Sequence, residues 1–385
     1  MPRTSPDSPP SYDRRCKDIT LSILRGDTIP APVPPEVADQ VLQRLVLTGA
    51  LGYVDQIGLK SEDADLLAAY DAYRTRFKLD AMRSNHICLQ RTAHVSEALT
   101  QAGLTHLIVK GPLRQMQTYG TAYTRPSKDT DVLVAPKDFQ AAIEALKANG
   151  YRPGMEGRRE KWYKDFQGQL HMVDDQVSGW SIDLHKHLTP PQAERVSDHS
   201  QWFSEIIFTP LGLRGQDKTQ LPIPNMDYAN LVSVLNIVKS LHGRAAEQKT
   251  LAGWRRSTLA HVCDLYVHVK DMSDQDLNAF LRHSKQAGLL SSSLLALRVV
   301  QVIFDHPFSM LAAHRTLLAE ISDEDLINIT LSPDDVTRWP TPHHLLIDLC
   351  RGDILKMARH LSWYLVSILA RRVLVPAPSL PVSSS

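Results

Sequence analysis

Residues 106–134 read His106-Leu-Ile-Val-Lys110-Gly-Pro-Leu-Arg-Gln-Met-Gln-Thr-Tyr119, then a loop, then Arg125-Pro-Ser-Lys-Asp129-Thr-Asp131-Val-Leu-Val134. Leu107, Ile108 and Val109 make an apolar run of buried-strand length that stops at Lys110-Gly111. Pro112 follows where a first helical residue is favoured, because the N–H that proline lacks would have had no partner there. A glycine just before a helix lets backbone come close to a ligand, and the free N–H groups of the first turn suit a phosphate. Asp129 and Asp131 are two apart on the next strand, so both side chains leave one face. Two carboxylates beside a phosphate-ready turn predict a divalent metal carrying a nucleotide polyphosphate.

The balance of charge is even: 43 Lys and Arg against 42 Asp and Glu in 385 residues. No global field for holding DNA or RNA follows from that. The densest basic cluster, Arg255-Arg256 with Lys249 and Arg244, is short and interrupted by Glu247. The four cysteines, Cys16, Cys88, Cys263 and Cys350, have no paired spacing, so neither a disulfide framework nor a zinc cluster is indicated. A reduced cytoplasm is the expected compartment. The Pro/Ser-rich start lacks a secretory apolar core, and no apolar run reaches the ~18 residues of a membrane span.

The chain divides by composition. Residues 1–35 are expected to be disordered or extended, apart from a short helix at Cys16–Leu24. Residues 36–210 are expected as an α/β core with N-terminal helices. Apolar Val37, Val41 and Leu45 mark a helix over Glu36–Thr48, and Ser61-Glu-Asp-Ala64 opens a long helical region, free to kink, that reaches about Ala102. Those helices should cover one face of the sheet. Lys137–Asn149 is amphipathic, with Phe139, Ile143 and Leu146 inward. Lys161–Phe166 and Gln169–Val173 are expected to pair as a hairpin through Gln167-Gly168. Leu211–Asn225, punctuated by glycines and prolines, reads as a linker. A helical C-terminal half, 226–372, follows, with helices expected at Tyr228–Leu241, Arg255–Lys270, Asp274–Ala287, Leu289–Phe304 and Pro342–Ala370. Residues 373–385 read as a disordered tail.

The order strand, Lys-Gly turn, helix, Tyr, Arg, Asp-x-Asp-x-Leu-Val resembles the uncharacterised nucleotidyltransferase family of the polymerase-β-like superfamily. The wider superfamily usually carries Gly-Ser or Gly-Gly at the turn; Lys110-Gly111-Pro112 matches the narrower group. The resemblance covers roughly residues 85–305 and is specific in three short segments. It implies a mixed sheet with helices followed by a mainly helical half, and a third carboxylate on a later strand. Trp180-Ser-Ile-Asp183-Leu-His185-Lys-His187-Leu188 supplies it, with Asp183 alternating away from Ile182 and Leu184. Weaker similarity continues at His242 and at His261-Val-Cys-Asp264.

The resemblance further implies that Asp129, Asp131 and Asp183 hold two Mg²⁺ ions (Mn²⁺ being an alternative) about 4 Å apart, for catalysis on a nucleoside triphosphate. Lys110 is either a phosphate contact or a plain strand-end lysine. Arg125 is either a phosphate clamp or a salt bridge fixing the aspartate loop. Gly111 completes the phosphate turn, and Ser127 is placed to cap the loop. His185 orients the acceptor or bonds within the core. Asp183, His185 and His187 share a strand face and so offer zinc ligands, without a clear fourth. The expected reaction is transfer of a nucleoside monophosphate from an NTP to a small-molecule or peptide or protein acceptor, with neither a nucleic acid nor a membrane as partner. The alternatives are a non-catalytic nucleotide- or partner-binding module, and another phosphoryl transfer. A nucleophile elbow, a P-loop and a dinucleotide turn are all missing from the sequence.

Overall fold

The computed structural model describes residues 14–331 except 156, 176, 178, 189–199, 212–218, 242–257 and 315–320, together with six positions between 358 and 370. The expectations for His242, the Arg244–Arg256 cluster, the Pro342–Ala370 helix, residues 1–13 and residues 373–385 lie wholly or largely outside the described residues, whereas Ile29 and Val33 of the expected extended segment are described and buried.

A five-stranded mixed sheet carries the site. Its strands are β1 (His106–Ile108), β2 (Asp129–Val134), β3 (Tyr151–Pro153), β4 (Gln169–Asp174) and β5 (Ser181–His185), in the order β1-β2-β5-β4-β3. Only β2 and β5 run parallel; the other pairs are antiparallel. The period-2 alternation of a strand sorts its residues between two layers. Ile108, Val132, Val134, Ile182 and Leu184 join one apolar cluster, while Leu107 and Leu133 join another. Asp129, Asp131 and Asp183 therefore stand on the Leu133 side.

Four helices precede the sheet: α1 (Arg14–Arg25), α2 (Pro35–Leu47), α3 (Leu51–Ile57) and α4 (Ala64–Gln101). The last runs unbroken for 38 residues, since it contains neither glycine nor proline, and Asp63 caps it by accepting the Leu66 N–H at 2.9 Å. Its second half, through Val95 and Leu99, packs on the Ile108 and Val132 face. Helices α5 (Pro112–Tyr119) and α6 (Phe139–Ala148) follow β1 and β2, and α6 joins α4 on that face. By contrast α1, α2 and α3 share their apolar core with the later helices, and Arg25 donates to the carbonyls of Val302 and Ile303 at 3.0 Å.

Two expectations are corrected. Lys161–Phe166 is not a strand: α7 (Gly157–Trp162) runs into a π-helical turn at Tyr163–Gln167, and Gly168, at φ +72°, ends it. That segment lacks the period-2 alternation a strand needs, so β4 pairs with β3 and β5 instead. Part of the expected linker is a strand. After α8 (Ser200–Ser204), β6 (Ile206–Pro210) pairs antiparallel with β7 (Gln220–Pro224). A two-stranded ribbon tolerates Pro222 and Pro224 because it has free edges, and buried Leu221 and Ile223 fasten it to the sheet's core.

The helical half comprises α9 (Met226–Leu241), α10 (Thr258–Val269), α11 (Asp274–Gln286), α12 (Leu290–Phe304), α13 (Ser309–Ala313) and α14 (Asp323–Leu331). Helix α9 is buried around most of its circumference and packs chiefly on α10 and α12. Among the described residues, no helix is long and apolar enough to cross a membrane.

Candidate active site

Strand β1 delivers the chain to Lys110 and Gly111, and the Val109 N–H still bonds the Asp131 carbonyl at 3.0 Å. Gly111 has φ +76° and ψ −152°, a conformation that side chains resist, and α5 starts at once with Pro112. This sharp turn points Lys110 at β2.

Asp131 and Asp183 are register partners across the parallel β2–β5 pair. Asp131 is buried, and its Oδ1 accepts from Lys110 Nζ at 2.5 Å and from His185 Nε2 at 3.0 Å. Burial alone would raise its pKa, but Lys110 and His185 hold it well below the usual carboxylate range. Burial likewise works against the charge on Lys110, and Asp131 more than offsets it, so the lysine's pKa is raised. Asp129, two residues back, is open to the surface yet crowded by protein and by its like-charged neighbours. Desolvation first, then Asp131 and Asp183, raise its pKa. Asp183 is partly exposed, and its Oδ1 meets His171 Nδ1 at 2.9 Å from the neighbouring strand β4.

The loop ahead of Asp129 is held by buried amides. Asn85 of α4 donates to the carbonyls of Ala122 and Arg125 at 2.5 and 2.8 Å, and accepts the Ser127 N–H at 2.7 Å. Gln115 of α5 bonds Arg125 at both its N–H and its carbonyl, and also donates to Ser127 Oγ at 3.1 Å. The Arg125 guanidinium makes a bidentate pair with Asp264 of α10, at 2.8 and 2.6 Å. Asp264 is buried and also accepts from the Tyr119 hydroxyl at 2.9 Å. Despite burial, Arg125 and His261 hold Asp264 far below the usual carboxylate range. Of the two roles open to Arg125, the geometry matches the salt bridge that fixes the aspartate loop.

Lys110, Arg125, Ser127, Asp129, Asp131, Asp183 and His185 line a cavity of about 330 Å³ between the acidic sheet face and α9. The opposite wall is polar and basic: Ser233, Asn236, Lys239 and Ser240 of α9, with His261 of α10 and Arg114 of α5. Positions 233, 236 and 240 repeat at helical spacing, so one face of α9 is turned to the sheet. Burial, and then the nearby charge of Lys110, lower Lys239 to about 8. Burial also lowers Arg114 to about 10; its guanidinium donates to Asn230 at 2.9 Å and to Ser233 at 3.3 Å.

The donors fit a divalent cation. Single ligand atoms of Asp131, Asp183 and His185 all lie within 4.8 Å of one another. Oxygen donors suit a hard ion such as Mg²⁺, and Asp129 stands on the same strand face. His185 Nε2 is engaged with Asp131, so it serves better as a group holding the carboxylate than as a ligand. His187 is not among the three, which removes the strand-face zinc set.

The expected residues Lys110, Gly111, Arg125, Ser127, Asp129, Asp131, Asp183 and His185 all line this one cavity. Asn85, Gln115, His171 and Lys239 were missed. Each is a polar residue in a helix or strand that only tertiary packing brings to the site, and no local pattern marks it.

A family model described as an uncharacterised nucleotidyltransferase matches residues 61–305, more than half of the chain. Neither a curated protein nor a solved structure matches the chain.

Proposed function

The chain belongs to the uncharacterised nucleotidyltransferase family, and we propose that it moves a nucleoside monophosphate from an NTP to an acceptor hydroxyl, releasing pyrophosphate. In this reading the sheet and its flanking helices are a polymerase-β-like core, and the helical half closes the nucleotide cleft. One observation carries the reading: Asp131 and Asp183 are paired in register on a sheet face that looks across a cavity at Lys239 and Arg114. An acidic wall facing a basic one suits a polyphosphate held between them.

Bound at Asp129, Asp131 and Asp183, Mg²⁺ or Mn²⁺ would neutralise triphosphate charge and acidify the acceptor hydroxyl. The protein's own residues do the rest. Lys110 and Lys239 supply positive charge for the non-transferred phosphates, and the Gly111 turn lets backbone approach them. Asp183, the more open carboxylate of the register pair, takes the acceptor proton. The acceptor oxygen then bonds the α-phosphorus as the bond to the bridging oxygen breaks, and the electron pair leaves with pyrophosphate. The even balance of charge favours a small molecule or a peptide or protein side chain over a nucleic acid as acceptor.

The test uses α-labelled and γ-labelled ATP with a panel of hydroxyl acceptors. Label passing to the acceptor from the α position, with matching pyrophosphate, is the expected result. Label passing from the γ position would replace this reading with simple phosphoryl transfer.

A further inference from the structure

His171 lies outside the three short segments that carry the specific resemblance, yet it touches the third carboxylate. Strands β4 and β5 are antiparallel, with His171 and Asp183 as register partners. Asp183 thus has Asp131 beside it on one neighbouring strand and His171 on the other. The imidazole meets Asp183 Oδ1 through Nδ1 at 2.9 Å.

A second feature keeps the ring where it is. Just after β3, the Gly154 N–H bonds the His171 carbonyl at 2.9 Å. A Cβ on Gly154 would lie 2.5 Å from His171 Cδ2 and 3.3 Å from Nε2. Gly154 is not among the glycines with positive φ, so its backbone does not call for glycine. Space for the imidazole does. The ring is seated against bare backbone on its Cδ2 edge, and Nδ1 is presented to the carboxylate.

We propose that His171 is a positioning residue for Asp183: it holds one carboxylate oxygen so that the group faces the cation position beside Asp131, with Gly154 reserving room for the ring. The inference rests on the function proposed above. Carboxylates that ligate metals are commonly fixed by such outer hydrogen bonds, and losing one typically weakens metal binding about 10–100-fold.

The experiment is Mn²⁺ binding to the full chain, followed by the free-Mn²⁺ electron paramagnetic resonance signal, with a non-hydrolysable NTP analogue present. His171→Leu should weaken Mn²⁺ binding by about 10–100-fold while leaving a cooperative melt. His171→Asn should restore binding, because the amide nitrogen of asparagine stands where Nδ1 stood. Gly154→Ala, whose Cβ would lie 2.5 Å from His171 Cδ2 and force the ring to move, should share the defect of His171→Leu. Tight binding by His171→Leu, or equally poor binding by His171→Asn, would overturn this inference and leave the proposed reaction standing. A wild-type protein that takes up no Mn²⁺ with the analogue would overturn both.

Discussion

Asp131 and Asp129 stand two residues apart on one strand face, yet Asp131 is buried under Lys110 and His185, whereas Asp129 is open and feels the like charges of Asp131 and Asp183 more than the opposite charge of Lys110. Neutralising either should cost transfer activity roughly a thousandfold or more, if several kcal/mol of charge stabilisation pass through them. Their effects on stability should be opposite. Asp131→Asn leaves the Lys110 charge without its counter-ion. The amide oxygen still accepts a hydrogen bond, so a loss of about 3 kcal/mol is expected, the low end for breaking a buried pair. Asp129 has a raised pKa, so its ionised form is disfavoured by folding and weighs against the native state at high pH. Asp129→Asn should therefore raise the melting temperature at pH 8. Thermal melts of both variants check this, and a matched fall in the two would refute the assignment.

Gly52 is where α3 meets the aspartate loop. A Cβ at Gly52 would lie 2.0 Å from the Thr124 carbonyl oxygen and 2.6 Å from its Cγ2. Backbone cannot yield cheaply, so Gly52→Ala should destabilise by about 1–3 kcal/mol and also lower transfer, because the displaced loop leads into Asp129. Gly120→Ala is the control. Gly120 sits at φ +71° with open space around it, so the cost is backbone strain of about 1–2 kcal/mol with activity kept. Comparing Tm and rate for the pair separates a moved loop from a merely weakened fold.

The Arg125–Asp264 pair offers a double-variant test. If Arg125 acts by fixing the loop, Arg125→Lys and Asp264→Asn should each cost about 2 kcal/mol of stability and lower turnover alike. The double variant should then be little worse than either single one. Were Arg125 instead a phosphate clamp, Arg125→Lys alone would raise the KM for NTP. Steady-state kinetics of the three variants distinguish the two roles.

Much of this was legible because it is local. The Lys-Gly turn, the Asp-x-Asp spacing and the Asp183 alternation each depend on neighbours within a few residues, and each falls on the expected element. The helix from Ala64 is long because nothing in it breaks a helix, which the sequence also shows. Strand order is another matter. That β5 inserts between β2 and β4 depends on which apolar faces meet, and no residue encodes it alone. The β6–β7 ribbon was hidden by Pro222 and Pro224, which argue against a central strand but not against an edge. Asn85 and Gln115 read as ordinary helix polars. Only the arrival of the 122–127 loop turns their amides inward.

Burial lowers the pKa of His106, His261 and His268, the last to about 4. An unfolded histidine titrates near 6.5. Between that value and the folded pKa, the unfolded chain takes up protons that the native state refuses. Stability from these groups is therefore complete above about pH 6.5 and is lost as the pH falls. For His268 alone the loss between pH 7 and pH 5 is at most about 2 kcal/mol. Asp129 and His171 have raised pKa values and act in the opposite sense, gaining relative stability as the pH falls. The wild-type slope mixes the two, so the informative quantity is a difference. His268 bonds Thr118 Oγ1 at 3.1 Å, and glutamine can offer an amide there without titrating. His268→Gln should flatten the fall of Tm between pH 7 and pH 5, in a scan that includes the wild type under the same salt. A variant whose slope equals or exceeds that of the wild type would show that His268 is not the buried neutral group described here.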